Sequence, residues 1–253
     1  MSEKLIKIKL NSITSLKDII CSLKDLVDEA CFKFTSEKIT MQAMDSSSIA
    51  ICFLLLKKDM FSSYQIPNEV NINISLENFS KILKIANQDD SLELSLEQDQ
   101  SFLKIVLSNE KTKKKSKFDF KITSGDSSTT INIPEIDYSY ISSINSKDFR
   151  TVINDYKYLS NETINITINK NSILFKSSGL IGQSDTEIPI TLLKDISEPI
   201  SYTFSTKYLL DFTRTILSDN VTIFMVSENP LCLEYSMPYG LVKYYLAPKM
   251  DDE

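Results

Sequence analysis

Paired basic residues recur on the helix-forming stretches of this sequence. Lys17 and Lys24 are seven apart, and Lys81 and Lys84 are three apart. Lys147 and Arg150 are also three apart, with Lys157 beyond them, and Lys207 and Arg214 are seven apart. Each spacing puts both members of a pair on one side of an α-helix. A lysine on the polar side of a helix is ordinarily just solvated, and any one pair reads that way. Repeated on every predicted helix of a chain with net charge −6, the pattern fits a surface that tracks phosphates without reading bases. Asp18, Asp25 and Asp28 dilute it on the first helix.

Other chemistry is thinly provided. The chain has no histidine, so a Ser-His-Asp or Cys-His arrangement and a His-ligated metal are excluded. A carboxylate-only magnesium site stays open, with Asp89, Asp90 and Asp219 as acids beside predicted turns. Only four glycines occur, without a Gly-rich phosphate loop. Cys21, Cys31, Cys52 and Cys232 form no CxxC pair and match no zinc spacing. They read as reduced core thiols of an intracellular protein. No cofactor or metal is expected. Met1-Ser2-Glu3-Lys4 leads into an alternating stretch, not into a secretory signal. The longest apolar run, Ile49 to Leu56, has eight residues. A bilayer needs roughly 18–20, so the run reads as a buried strand and no membrane is expected.

The elements that would carry the basic pairs follow from periodicity. Lys4–Leu10 alternates as a half-buried strand does. Residues 15–30 carry Leu16, Ile19, Ile20, Leu23, Leu26 and Val27 at helical spacing. Strands are expected over 37–56 and 64–74. Ser75 reads as the N-cap of a helix through Ala86, with Leu76, Phe79 and Leu83 inward. Leu92–Leu96, Phe102–Leu107 and Lys117–Ile122 read as further strands. Later helices are expected over 146–159 and 205–217. The basic run Lys111 to Lys117 falls between two strands. It reads as a hairpin loop, with a phosphate contact or a nuclear-import element as alternatives.

A shift of 130 residues superposes one part of the chain on another. Lys17-Asp18 with Asp25 falls on Lys147-Asp148 with Asp155, and Ser75 to Lys84 falls on Ser205 to Arg214. The alternating strand Leu92–Leu96 falls near Val221–Met225. The small polar stretch Thr123 to Thr130 lies between the halves and reads as a linker. The sequence therefore implies an α+β fold of two similar sheet-rich domains, each with two helices on one face. The domains are placed at 1–120 and 136–253, joined by a connector over 121–135.

Several blocks resemble the proliferating cell nuclear antigen family, the eukaryotic sliding clamps. They are Leu23 to Ala30, Met41 to Ser48, Phe79 to Lys84, Ile133-Pro134-Glu135 and Leu241 to Lys249, and they span nearly the whole chain. The resemblance implies a DNA-clamp fold whose subunits close head to tail into a homotrimeric ring, with sheets outside and helices lining the channel. It implies a processivity factor for DNA polymerase and a docking platform in DNA replication and repair, working in the nucleus and not an enzyme. Implied partners are double-stranded DNA, polymerase and other clamp-binding peptides, and a clamp loader.

On the channel side the resemblance matches Lys17, Lys24, Lys81, Lys84, Lys207 and Arg214. Lys147, Arg150 and Lys157 stand on the remaining helix, where Asn154 occupies the family's usual arginine position. For peptide docking it implies Met44, Ser48 and Ile49, then Ile131, Ile133 and Pro134, then Pro230, then Tyr245, Ala247 and Pro248. Ser48 stands where animal members often carry histidine, and the connector is unusually polar. Lys170, between Asn169 and Asn171, matches the family's ubiquitin-carrying lysine. Three rival readings remain: a subunit of a related hetero-oligomeric clamp, a carboxylate–magnesium nuclease, and a duplicated scaffold that binds no nucleic acid.

Overall fold

The computed structural model describes residues 4–98, 101–125, 131, 133, 136–159, 162–179, 182–194 and 198–249. The chain divides into two compact units. One comprises Met1–Ala43, Cys52–Ile131 and Met237–Leu241; the other comprises Met44–Ile51, Asn132–Ser236 and Val242–Glu253.

The first half of the chain runs β1 (Lys4–Leu10), α1 (Thr14–Leu23), β2 (Glu29–Phe34), β3 (Lys38–Met44), β4 (Ala50–Lys57), β5 (Ser63–Gln65), β6 (Val70–Ser75), α2 (Leu76–Ile85), β7 (Ser91–Glu97), β8 (Phe102–Ser108), β9 (Lys115–Lys121) and β10 (Thr123–Ser124). A single 3₁₀ turn, Lys58–Met60, follows β4. The second half runs β11 (Tyr140–Asn145), α3 (Ser146–Tyr158), β12 (Thr163–Ile168), β13 (Ser172–Gly179), β14 (Gly182–Pro189), β15 (Thr191–Leu192), β16 (Ile200–Ser205), α4 (Thr206–Thr213), β17 (Asn220–Met225), β18 (Leu231–Met237) and β19 (Gly240–Leu246).

The duplication is visible in the strand orders. In the first half β5-β1-β7-β8-β9 form one sheet and β6-β2-β3-β4 run consecutively in another. In the second half the corresponding orders are β15-β11-β17-β18-β19 and β16-β12-β13-β14. Two halves that share no long identical stretch thus reproduce each other strand for strand. The pairings are antiparallel, as in Ile8 opposite Leu94 and Ile144 opposite Val221. Each strand points one set of side chains at a core. Ile6, Ile8, Leu10, Leu92, Leu94, Leu103 and Ile105 fill it in the first half, and Ile164, Ile166, Phe175 and Phe204 in the second.

The helices are amphipathic and pair within each half, α1 with α2 and α3 with α4. α1 buries Leu16, Ile19, Ile20 and Leu23. α2 buries Leu76, Phe79 and Leu83, and Ser75 caps it by accepting from the Asn78 N–H. Asn145 caps α3 by accepting from the N–H groups of Lys147 and Asp148.

Two helices are shorter than the periodicity implies. α1 ends at Leu23, not Ala30, although Leu26 and Val27 are still buried. Asp25 and Asp28 sit where a continuing helix would present its negative end, which opposes extension. Leu26 and Val27 are instead inserted by a turn ahead of β2. α4 ends at Thr213, not Leu217. There the Thr213 hydroxyl donates back to the Leu209 carbonyl at 2.8 Å, and β-branched Thr215 and Ile216 follow. The expected strand over 37–56 is two strands, β3 and β4, separated by a tight loop at Asp45 to Ile49.

Candidate nucleic-acid interface and docking site

Basic side chains lie on the solvent side of the helices. On α2, Lys81 and Lys84 are exposed. Lys81 pairs with Glu77 one turn earlier at 2.7 Å, both side chains being more than half exposed. Such a pair is screened and exchangeable, so it leaves the ammonium available to a phosphate. On α1, Lys17 is half-buried. Lys24 does not ride the helix but is its C-cap residue, bonded to Asp25 at 2.6 Å. On α3, Lys147 and Lys157 are exposed, whereas Arg150 is half-buried.

In the second unit the basic residues of two helices converge. Lys157 of α3, Lys207 of α4 and Arg214, the C-cap residue of α4, line an open groove of about 620 Å³. Arg214 holds Asp211 at 2.8 Å. The Lys207 ammonium lies 5.7 Å from the centre of the Tyr208 ring, a weak cation–π contact. Lys249 also lines this groove. Spacing on a helix could not reveal it, because it arrives from the chain's tail by pairing across to Thr203.

The loop that carries Met44, Ser48 and Ile49, three of the residues expected to dock peptides, is organised by Asp45. Its carboxylate accepts from the N–H groups of Ser47 (3.0 Å), Ile49 (2.7 Å) and Ala50 (2.7 Å), and from the Tyr208 hydroxyl at 2.7 Å. Burial is the largest single influence on this carboxyl and raises its pKa. The donors Ala50, Tyr208, Ser47 and Ile49 together outweigh it and hold the group below the usual carboxylate range. The Tyr208 hydroxyl is correspondingly pushed up, by burial first and then by the bond to Asp45. Ser48 takes a positive φ of 58° at the crest of the loop. This geometry leaves the apolar side chains of Met44 and Ile49 about two-fifths exposed, at 40% and 41%.

The tail closes on the same loop: the Ala247 N–H donates to the Ile49 carbonyl at 3.1 Å. Ala247 is exposed, and Tyr245, Pro248 and Pro230 are half-buried. Burial raises the Tyr245 hydroxyl well above its ordinary value, with Cys232 beside it. The Pro230 carbonyl accepts from Tyr138 at 3.5 Å. Ile131 and Ile133 are half-buried, and Pro134 lies outside the described residues. The sequence reading assigned no role to Asp45 or Tyr208. The Asp-Ser-Ser-Ser run, a strong side-chain-to-backbone turn former, was the available signal for the first; nothing local marks the second.

The remaining candidates have structural surroundings. Asp90 accepts from the Asn109 side chain at 2.6 Å and from the Asn87 N–H at 3.0 Å. Asp89 is paired with Lys111 at 2.6 Å, and the Asp219 carbonyl receives the Ser146 N–H. Among the described residues, no cluster of three or more His, Cys, Asp or Glu could hold a metal ion. Burial pushes the Cys52 and Cys232 thiols up to about 12, which leaves them protonated and inert near neutral pH. Lys111 to Lys114 form the hairpin between β8 and β9, with the Asn109 N–H bonded to the Lys114 carbonyl. Lys170 is exposed in the turn between β12 and β13.

Comparison with known proteins places these features. Residues 5–131 match the family described as Proliferating cell nuclear antigen, N-terminal domain, and residues 132–250 match its C-terminal domain. The chain is 31% identical over 260 residues to the Proliferating cell nuclear antigen of Chaetomium thermophilum, covering 98% of this chain and 100% of that one. It is 33% identical over 258 residues to that of Caenorhabditis elegans, covering 97% of each. Full-length matches in both domains, on a fold duplicated strand for strand, leave one assignment: the chain belongs to the proliferating cell nuclear antigen family, the DNA sliding clamps that act as processivity factors.

Proposed function

We propose that this chain is one subunit of a homotrimeric ring that encircles duplex DNA in the nucleus and tethers polymerase and other proteins to it, without catalysing a reaction itself. The observation that carries this reading is the set of exposed basic residues on α2, α3 and α4 of a chain whose net charge is −6. Encirclement supplies retention, so contacts to the duplex need only be weak, sequence-independent and interchangeable, and lysines tracking phosphates meet that need. The residues for this role are Lys17, Lys24, Lys81, Lys84, Lys147, Arg150, Lys157, Lys207 and Arg214.

Closure of the ring has a physical basis in two open sheet edges. β9 is the last strand of β5-β1-β7-β8-β9, and β14 is the first of β14-β13-β12-β16. The exposed side of β9 carries Lys115, Lys117 and Lys121 with Asp119 among them, a net positive edge, and that of β14 carries Asp185 and Glu187. A cationic edge on one copy meeting an anionic edge on the next gives a head-to-tail contact, which forms a ring when the rotation between copies closes.

The docking surface takes an apolar peptide anchor. Met44, Ile49, Pro230, Tyr245, Ala247 and Pro248 supply contacts, Ser48 a polar rim, and Ile131, Ile133 and Pro134 the connector side, with residues 121–135 joining the two domains. A few buried contacts would dominate affinity there. A clamp loader opens the ring, and Lys170 is a candidate modification site. The test is the double variant Lys81→Glu with Arg214→Glu. It should abolish stimulation of polymerase processivity while leaving the mass of the oligomer unchanged; undiminished stimulation sinks the DNA-facing assignment.

A further inference from the structure

The groove beside α3 and α4 contains a cation that neither helix supplies. Lys249 follows β19, and its backbone N–H donates to the Thr203 carbonyl at 2.8 Å. This isolated antiparallel bridge pins the tail to β16, the strand that leads directly into α4. The Lys249 side chain is exposed and lines the groove with Lys157, Lys207 and Arg214; Glu162 and Asp211 are the carboxylates there. Asp211 is engaged by Arg214. Among the described residues the balance of charge in the groove is therefore positive, four cations against two carboxylates. Among the described residues the lining has no aromatic ring on which a base could stack. Ammonium groups without a stacking platform suit a phosphodiester and not a base.

We propose that Lys249 is a further phosphate contact, acting with Lys157 and Lys207 as one cradle built from three separate elements. An ordinary surface lysine on a free tail would sample solvent widely. Here the backbone of that residue is fixed to the strand that feeds α4, so its side chain starts from the wall of the groove. The proposal rests on the clamp reading but adds a residue from the tail. It also places one segment, Tyr245 to Lys249, at both the docking loop, through Ala247, and the phosphate groove, through Lys249.

The test compares Lys249→Ala, Lys249→Arg and Lys207→Ala with the parent oligomer on duplex DNA, measuring affinity across a salt series. Removing one phosphate contact should reduce the slope of log affinity against log salt by roughly one, uniformly across DNA sequences. Lys249→Ala is expected to show that reduction and Lys249→Arg to restore the slope. A slope unchanged in Lys249→Ala but reduced in Lys207→Ala overturns the proposal and leaves the clamp reading standing. A slope unchanged in both overturns the DNA-facing surface itself.

Discussion

At the residue scale the account turns on Asp45. Four donors converge on one carboxylate, and three of them are the backbone of its own loop. The fourth, Tyr208, lies on α4 next to Lys207 of the proposed phosphate groove. Tyr208→Phe deletes a hydrogen bond to a charged group and should cost about 2 kcal/mol, measured by denaturant unfolding. It should also weaken binding of a clamp-binding peptide, because Met44 and Ile49 are held out by this loop. Acid should act on the same residue. A carboxyl whose folded pKa lies below its unfolded value of 3.8 adds stability above that value and loses it as pH falls through the folded pKa. Peptide affinity limited by this loop should thus be steady from neutral pH down to that value and fall only below it. Asp45→Asn should remove the acid dependence; an Asn variant with the same low-pH profile would contradict the role given to Asp45.

At the element scale, legibility in the sequence depended on whether the deciding contact was local. Ser75 announces α2 because an N-cap and its helix are neighbours in the chain, and α2 ends within a residue of the expected position. α1 is shorter than its spacing implies because Leu26 and Val27 continue a helical spacing while being buried by a turn instead. The loop at Asp45 hid inside an apolar run because β3 and β4 flank it closely. The basic residues of α2 and α3 were readable from spacing, whereas Lys249 reaches α4's side only through a long-range bridge to Thr203. A further consequence concerns Thr206, the first residue of α4. Its side chain is buried, and its hydroxyl makes no hydrogen bond among the described residues. The residue 130 positions earlier is Leu76, also buried. Thr206→Val, which swaps the hydroxyl for a methyl group, should raise unfolding stability by about 1 kcal/mol. A loss of stability in thermal or denaturant unfolding would show that the hydroxyl is satisfied in solution.

At the scale of the whole molecule, the duplicated order of strands and helices was visible beforehand as a common offset, because each half must bury the same kind of core. The proposed ring was implied only by the family resemblance, since its closure would depend on which sheet edges stay unpaired, a property of the assembled sheets. Those edges are charged in opposite senses, so assembly should be sensitive to ions. Light scattering of the pure chain should give about three times 28.8 kDa. Lys115→Glu with Lys117→Glu should drop it toward a single subunit, because like charges would then face each other across the contact.

The central claim is topological: the protein is held on DNA because it surrounds it. The direct measurement is to load the protein onto nicked circular DNA with a clamp loader, isolate the complex by gel filtration, and then cut the circle with a restriction enzyme. Retention on the circle through salt that strips surface-bound protein, followed by loss when the DNA becomes linear, is the expected result. Equal retention on linear and circular DNA, or release by salt from both alike, would mean that the basic helices bind a surface and surround nothing.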